Sequence, residues 1–364
     1  MKKTLSYILA SLLGVLALVI IELILGFFIP DMPYKVLDFH PTCAYTPKPN
    51  LKITAQSGLF SPQPCRSGSV KHTLSINELG ERFVPESRAD APKTVMVIGD
   101  SCSFGWDVSD DETFANYIAR LAGEEGSEIA VRLFAVPGYS SLEGFIRYTN
   151  YINEDGKPPD IAIIAFGAND DDPVGGTWWR NGWTDYELHH FDGKSFGEVD
   201  NEVFFRMFIA GLNLTRVIAM LAGEYEKPPD EGKRRMTADE TEYIINGFVS
   251  LLLTQESKVI LHNLCSVSRN ASIRTVSARR SVPFVDSERA LKGEWRSILT
   301  PDEVSRAEET AKRLFSPQCL AEFPAMLVTS DNFHPNRYGH KVVAKALWGS
   351  LRPLVIDTHH PPSE

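Results

Sequence analysis

The sequence predicts an α/β protein, a three-layer α/β/α sandwich built on a parallel sheet. Three observations carry this. Five short apolar runs, "TVMVIGD", "VRLFAV", "IAIIAFG", "KVILHNL" and "VPFVDS", recur between Thr94 and Ser287. Near-continuous Val, Ile and Leu runs of this length suit strands buried on both faces. Segments of helical periodicity lie between them, so strand and helix alternate as in a doubly wound sheet. Small polar clusters follow the first three runs, at Asp100-Ser101, Pro137-Gly138 and Gly167 to Asp170. In such sheets functional groups collect at the C-terminal ends of the strands.

In chain order, Lys2 and Lys3 precede an apolar run over 5–29, interrupted by Glu22 and a few small or hydroxyl residues. At ~1.5 Å per residue the run is long enough for a ~30 Å bilayer core with some tilt. It exceeds the ~7–15 residue apolar core of a secretory signal and lacks a small-x-small site in "GFFIPDMP". The prediction is therefore an uncleaved single-pass anchor over 1–30. The basic flank stays cytoplasmic, which puts the rest of the chain on the outer side. Glu22 sits within two turns of the outer end and is read as an interfacial carboxyl.

Residues 31–92 are rich in Pro, Ser and Thr. Within them "HTLSINELGERF" (72–83) alternates apolar and polar, as in a strand pair turning at Leu79-Gly80. The main domain is expected over 93–357. Its first helix, "DETFANYIARLAG" (111–123), opens with acids that favour a helix N-terminus; "SLEGFIRYTNYINED" (141–155) is the second. Two long insertions separate the third and fourth strands. One is a hairpin over 176–196 with Asp192-Gly193 at its turn, and the other an amphipathic helix over 202–225. "KVVAKALWGSL" (341–351) forms the last helix, and 358–364 is expected to be a disordered tail.

The 37 basic and 47 acidic residues leave a net charge of −10. That excludes nucleic acid as the expected partner, because phosphate binding needs a basic face. The clusters Lys233 to Arg235 and Arg279-Arg280 read as solvated loop charges. The five cysteines are Cys43, Cys65, Cys102, Cys265 and Cys319. An oxidising compartment permits disulfides. Proximity suggests Cys43–Cys65 and Cys265–Cys319, with Cys102 left as a buried, apolar-like thiol, although spacing alone does not fix the pairing.

Acyl transfer needs a serine activated by a histidine, an acid that orients the histidine, and donors preset for the oxyanion. Ser101, His334 and Asp331 supply the first three. The Ser101 and Gly138 amides and the Asn169 side chain supply the donors. Ser101 read alone is better explained as a helix cap.

"GDSCSFG" (99–105), "VPGYS" (136–140), "GAND" (167–170) and "DNFHPNRYGH" (331–340) together resemble, in order, the blocks of the SGNH hydrolases, the GDSL esterases and lipases. Cysteine stands at 102 where the family carries leucine or another apolar residue. The likeness covers roughly 93–351. It implies a flavodoxin-like parallel sheet and a serine esterase with Ser101, His334 and Asp331 as its triad. The same likeness implies an oxyanion hole of Ser101, Gly138 and Asn169. "INELGER" (76–82) with the single anchor also resembles a bacterial branch of the family, which implies the cell membrane with the catalytic domain on the periplasmic side. Ser101 follows Gly99-Asp100, so the Gly-x-Ser-x-Gly elbow of the α/β-hydrolases is not matched.

Neighbouring residues read more plainly. Asp100 is expected to brace the turn, and Ser103 has no matching role. Asp170 is expected to hold backbone, and Asp171 and Asp172 to be solvated. His189 and His190 point to opposite faces of a strand and cannot easily share a metal; no metal and no cofactor are expected. Trp178, Trp179 and Trp183 are offered as a platform for a sugar or acyl chain, against plain hairpin packing.

The expected reaction is hydrolysis of an O-acyl ester, such as an O-acetyl group on an envelope glycan or lipid. Two alternatives stay open: an O-acyltransferase that passes the acyl group to a polysaccharide hydroxyl, and a non-catalytic envelope binding protein.

Overall fold

The computed structural model describes residues 2–28, 36–40, 43–56, 68, 70–171, 234–266, 268–322, 324–329 and 333–356. The chain divides into two units, 1–35 with 173–233 and 36–172 with 234–364.

In the first unit the described part is helix α1, Lys2–Phe28. Its described side chains are Tyr7 and those of 10–25, and Leu12, Leu16, Val19 and Leu23 among them are exposed. Among the described residues no helix is long and apolar enough to cross a membrane. The hairpin expected over 176–196, the helix over 202–225 and the tail 358–364 lie outside the described residues.

The second unit opens with two antiparallel pairs. Strand β1 (Leu37–His40) pairs with β2 (Ala44–Pro47), and β3 (Lys52–Gln56) with β4 (Lys71–Ser75). The pairing around Leu79-Gly80 differs from expectation. The turn closes on a single bridge, Ile76 to Arg82, and β4 takes β3 as its partner instead. The cause is local. Asn77 Oδ1 accepts from the N–H groups of both Leu79 and Glu81, at 2.9 Å each, which tightens the turn. Arg82 then bridges Leu133 of the main sheet, so the returning chain leaves β4 at once.

The main sheet has five parallel strands: β5 (Thr94–Gly99), β6 (Ala130–Leu133), β7 (Ile161–Ala165), β8 (Lys258–Asn263) and β9 (Phe284–Asp286). Their order is β6-β5-β7-β8-β9, the flavodoxin-like arrangement. All five coincide with the apolar runs, and Val95 to Ile98 and Ile161 to Ala165 are almost wholly buried.

Helices among the described residues include α2 (Ser101–Phe104), α3 (Phe114–Glu124), α4 (Ser141–Asn153), α5 (Ala238–Thr254), α6 (Asn270–Arg280), α7 (Pro301–Leu314) and α8 (Arg337–Val355). The step from β5 to β6 runs one way along the sheet and the step from β6 to β7 runs back. Right-handed crossovers therefore put α3 and α4 on opposite faces. Helices α5 and α6 join α4, while α8 packs on α3. The loops after β5 and β7 leave from neighbouring strands at the switch point of the sheet, where folds of this kind place their ligands.

Candidate active site

Strand β5 ends at Gly99. A Cβ there would lie 2.4 Å from Ser103 Oγ and 2.6 Å from the Ala165 carbonyl, so no larger residue fits. Asp100 follows as the N-cap of α2, with Oδ1 accepting from the Cys102 N–H at 2.9 Å. The cap is thus Asp100 and not Ser101. Burial pushes the Asp100 carboxyl up to about 7, against the lowering effects of the Cys102 N–H and of His334. Ser101 is the first residue of α2. Its side chain is buried, with Oγ 2.9 Å from His334 Nε2.

His334 comes from a segment pinned just ahead of α8. Thr329 bridges Pro335. Asn336 caps α8, with Oδ1 accepting from Tyr338 N–H (2.9 Å) and Gly339 N–H (3.2 Å), and its amide donates to the Leu327 and Thr329 carbonyls at 3.3 Å. The Phe333 ring stands edge-on to the imidazole at 4.9 Å. One turn into α8, His340 stacks on Phe114 and accepts from its N–H through Nδ1 at 3.1 Å. Burial holds that imidazole down to about 3, so it stays neutral and able to accept. Asp331, the expected orienting acid, lies outside the described residues, as do Trp178, Trp179 and Trp183.

The turn after β6 is Val136-Pro137-Gly138-Tyr139, closed by Tyr139 N–H to Val136 O at 3.3 Å. Gly138 has φ +82°. Proline second and glycine third, with positive φ at the glycine, make the type II arrangement. After β7, the Asn169 amide donates to the Tyr139 carbonyl at 2.9 Å, which leaves its second N–H for another acceptor. Among the described residues the Ser101 and Gly138 N–H groups donate to nothing. Buried N–H groups are rarely left without an acceptor. The Ser101 N–H belongs to the residue whose hydroxyl meets His334, and Gly138 is half-buried in the turn after β6.

Asp170 holds backbone, as expected. Its carboxylate accepts from the Ser141 N–H (2.7 Å) and hydroxyl (2.8 Å) at the start of α4. Asp171 corrects the reading as solvated: it pairs with Arg269 at 2.9 Å. The larger correction concerns the cluster 233–235. Arg235 is buried, donating to the Gly138 carbonyl at 2.9 Å and to Glu143 at 3.0 Å. Its sequence surroundings are charged, and no local pattern marks it. Arg279 and Arg280 belong to the last turn of α6 rather than to a loop.

The cysteine pairing is also corrected. Cys102 is bonded to Cys265, which overturns Cys265–Cys319 and the reading of Cys102 as a lone thiol. Both residues follow ends of sheet strands, β5 and β8, whose tips converge over β7; 163 residues of sequence hide that proximity. Cys43, expected to pair with Cys65, is a buried thiol with Sγ 3.2 Å from His40 Nδ1. Cys265 sulfur also lies 3.2 Å from the Phe333 carbonyl. A disulfide sulfur has no proton to donate, so this is a packing contact. Among the described residues no group of three His, Cys, Asp or Glu side chains is placed to hold a metal ion.

A family model described as the GDSL-like lipase/acylhydrolase family matches residues 97–342. Solved structures that resemble the chain include the psychrotrophic esterase EstA from Pseudoalteromonas sp., at 10% identity and a TM-score of 0.38, covering 72% of this chain and 97% of that one. The acetylxylan esterase Axe2 from Geobacillus stearothermophilus resembles it at 15% identity and a TM-score of 0.39, covering 74% and 97%. A lipolytic protein of the G-D-S-L family from Desulfitobacterium hafniense does so at 11% identity and 0.35, covering 70% and 97%. No curated protein matches the sequence.

Proposed function

The chain belongs to the GDSL-like lipase/acylhydrolase family and is a carboxylic ester hydrolase, and on that premise we propose that it cleaves esters through Ser101, His334 and Asp331. The observation that carries the proposal is the 2.9 Å separation of His334 Nε2 and Ser101 Oγ. A serine hydroxyl becomes a useful nucleophile only when a base takes its proton as it attacks. Ser101 Oγ adds to the ester carbonyl carbon while His334 Nε2 accepts the hydroxyl proton. The carbonyl π pair moves onto oxygen, where the Ser101 and Gly138 amides and the Asn169 side chain receive the charge. On collapse, His334 returns the proton to the leaving alcohol. Water then attacks the acyl-serine by the same route and releases the acid. Asp331, three residues before His334, orients the imidazole in this reading.

The substrate proposed is an O-acyl group, in the first instance O-acetyl, on a glycan or lipid of the cell envelope, with Trp178, Trp179 and Trp183 as its platform. The location is part of the same proposal: a membrane anchor over 5–29, with the catalytic domain on the periplasmic side. The apolar run over 5–29 and the two lysines ahead of it support the anchor. The Cys102–Cys265 disulfide supports an oxidising compartment, since cytosolic thiols are kept reduced. The division into anchor 1–30, preface 31–92, hydrolase domain 93–357 and tail 358–364 is carried forward with it.

The test is turnover of p-nitrophenyl acetate by the full chain in detergent, with Ser101→Ala as its blank and a fluorophosphonate probe mapped by mass spectrometry. Labelling at Ser101 and no turnover by the variant are expected. Unchanged turnover by Ser101→Ala removes the nucleophile. A series of acyl lengths, run with and without an acceptor glycan, then defines the substrate; product formed only with the acceptor would make the enzyme a transferase.

A further inference from the structure

The turn that carries Gly138 has three successive carbonyls, and each is taken by a side chain from a different part of the chain. Tyr45 Oη donates to Pro137 O at 2.9 Å. Arg235 donates to Gly138 O at 2.9 Å. The Asn169 amide donates to Tyr139 O at 2.9 Å. Tyr45 belongs to β2 of the small β-rich segment, Arg235 follows the long insertion, and Asn169 follows β7.

The Tyr45 bond matters most for chemistry. In a trans peptide the C=O and N–H point in opposite directions. The carbonyl Tyr45 holds and the Gly138 N–H belong to the same peptide plane, so fixing one direction fixes the other. That plane is also the one that turns over between the two common β-turns. Types I and II differ by a flip of about 180° in their central peptide, as ψ of the second residue and φ of the third change sign together. Gly138, free of a Cβ, pays little for either form. The Pro-Gly pair leans towards type II, yet the turn alone does not lock its N–H in that direction. Tyr45 does, by supplying a donor on one side only.

Tyr45 is itself held. It is almost wholly buried, its ring stands edge-on to Tyr139 at 5.1 Å, and Tyr139 Oη donates back to the Tyr45 carbonyl. Tyr139 Oη also lies 3.2 Å from the Cys43 carbonyl. The pair is reciprocal: each tyrosine hydroxyl binds backbone next to the other. Arg235, locked against buried Glu143 at 3.0 Å, fixes the next carbonyl in the same way.

We infer that Tyr45 is a positioning residue of the oxyanion hole, acting through the Pro137–Gly138 peptide, and that the β-rich segment before the hydrolase sheet is thereby a working part of the active site. The inference rests on the reading of Ser101 as nucleophile and of the Gly138 N–H as an oxyanion donor.

Tyr45→Phe tests it, because the ring and its packing remain and only the hydroxyl is lost. One hydrogen bond shifts a two-state turn by about 5- to 10-fold. The kcat for p-nitrophenyl acetate is expected to fall by up to that factor, as the share of turns with the N–H facing the hole drops. KM should stay within about twofold, since the ground-state carbonyl asks little of the oxyanion donors. The affinity for phenylboronic acid, which forms a tetrahedral adduct on an active serine, should fall in step with kcat. The pH profile of kcat should not move, because His334 is untouched. A folded Tyr45→Phe with unchanged kcat overturns the inference, as does a rise in KM with kcat retained. An unfolded variant overturns it too, since a bond that serves the turn predicts a folded, slow enzyme. Fluorophosphonate labelling of the wild-type protein is run beside it. Labelling away from Ser101 would defeat the underlying reading instead, whatever Tyr45→Phe does.

Discussion

His334 Nε2 and Ser101 Oγ lie 2.9 Å apart although 233 residues separate them in the chain. Two independent local structures meet at this point. One is the turn from β5 into α2, capped by Asp100. The other is the segment Asn336 ties to Leu327 and Thr329 ahead of α8. His334→Ala leaves both frames intact and removes only the base. Turnover is expected to fall by roughly 10⁴-fold, the scale lost when a triad member fails, with fluorophosphonate labelling of Ser101 slowed in parallel. Wild-type turnover by a folded His334→Ala protein would show that another group takes the serine proton.

Asp100 predicts a dependence of stability on pH. Burial raises its folded-state value to about 7 from the ordinary 3.8. As pH rises the unfolded chain loses this proton first, so ionisation favours unfolding. The Asp100 contribution to stability is thus fully present below pH 3.8 and is lost as pH climbs towards 7. Asp100→Asn keeps an oxygen for the Cys102 N–H and cannot ionise. Urea midpoints measured from pH 4 to pH 8 should therefore decline less in the variant than in the wild type. Parallel curves for the two proteins would mean that Asp100 does not titrate there.

How much of this was legible beforehand depends on whether the signal is local. The five strands were, because a parallel strand buried on both faces must be apolar almost throughout, and Val95 to Ile98 is so. The positions of Ser101, Gly138 and Asn169 at strand ends were legible for the same reason, each standing one or two residues after an apolar run. His334 needed four separate blocks read together. What stayed hidden was long-range. Arg235 sits in a charged stretch, and only the buried Glu143 and Gly138 carbonyl make it an interior residue. Cys102 resembles any small residue in a turn until the end of β8 arrives beside it. The partner of strand β4 stays hidden because alternation marks a strand but not what it pairs with, and the competing pull of Leu133 on Arg82 lies 51 residues away.

The Cys102–Cys265 disulfide closes a loop of 163 residues in sequence separation. In the chain-entropy picture a loop of that length stabilises the fold by about 5 kcal/mol. Changing both cysteines to alanine is expected to lower Tm by about 10 °C on that scale. Reduction of the wild type is not an equivalent test, because Cys319 is disulfide-bonded as well. Calorimetry of the two proteins, with thiol counting to verify the redox state, makes the comparison. Equal Tm values would assign the bond no net role in stability.

Arg82 carries the last prediction. It is fully buried and its guanidinium donates to the carbonyls of Phe104 (2.9 Å), Gly105 and Val108 (2.5 Å), while Nε pairs with Asp110 at 3.3 Å. The first two carbonyls end α2, the helix that begins with Ser101, so a cation sits where the helix leaves acceptors unfilled. Arg82→Lys keeps the charge but replaces a planar fork of donors with a single point. It cannot serve three carbonyls and a carboxylate that diverge around it. Arg82→Met goes further and leaves Asp110 without its cation in the interior, a change that costs ~3–5 kcal/mol. Urea denaturation is expected to rank the proteins wild type, Arg82→Lys, Arg82→Met. Turnover per folded molecule should fall in Arg82→Lys as well, because α2 is then free to shift against His334. If Arg82→Lys loses stability and keeps full turnover, the guanidinium holds up the fold alone and the nucleophile does not depend on it.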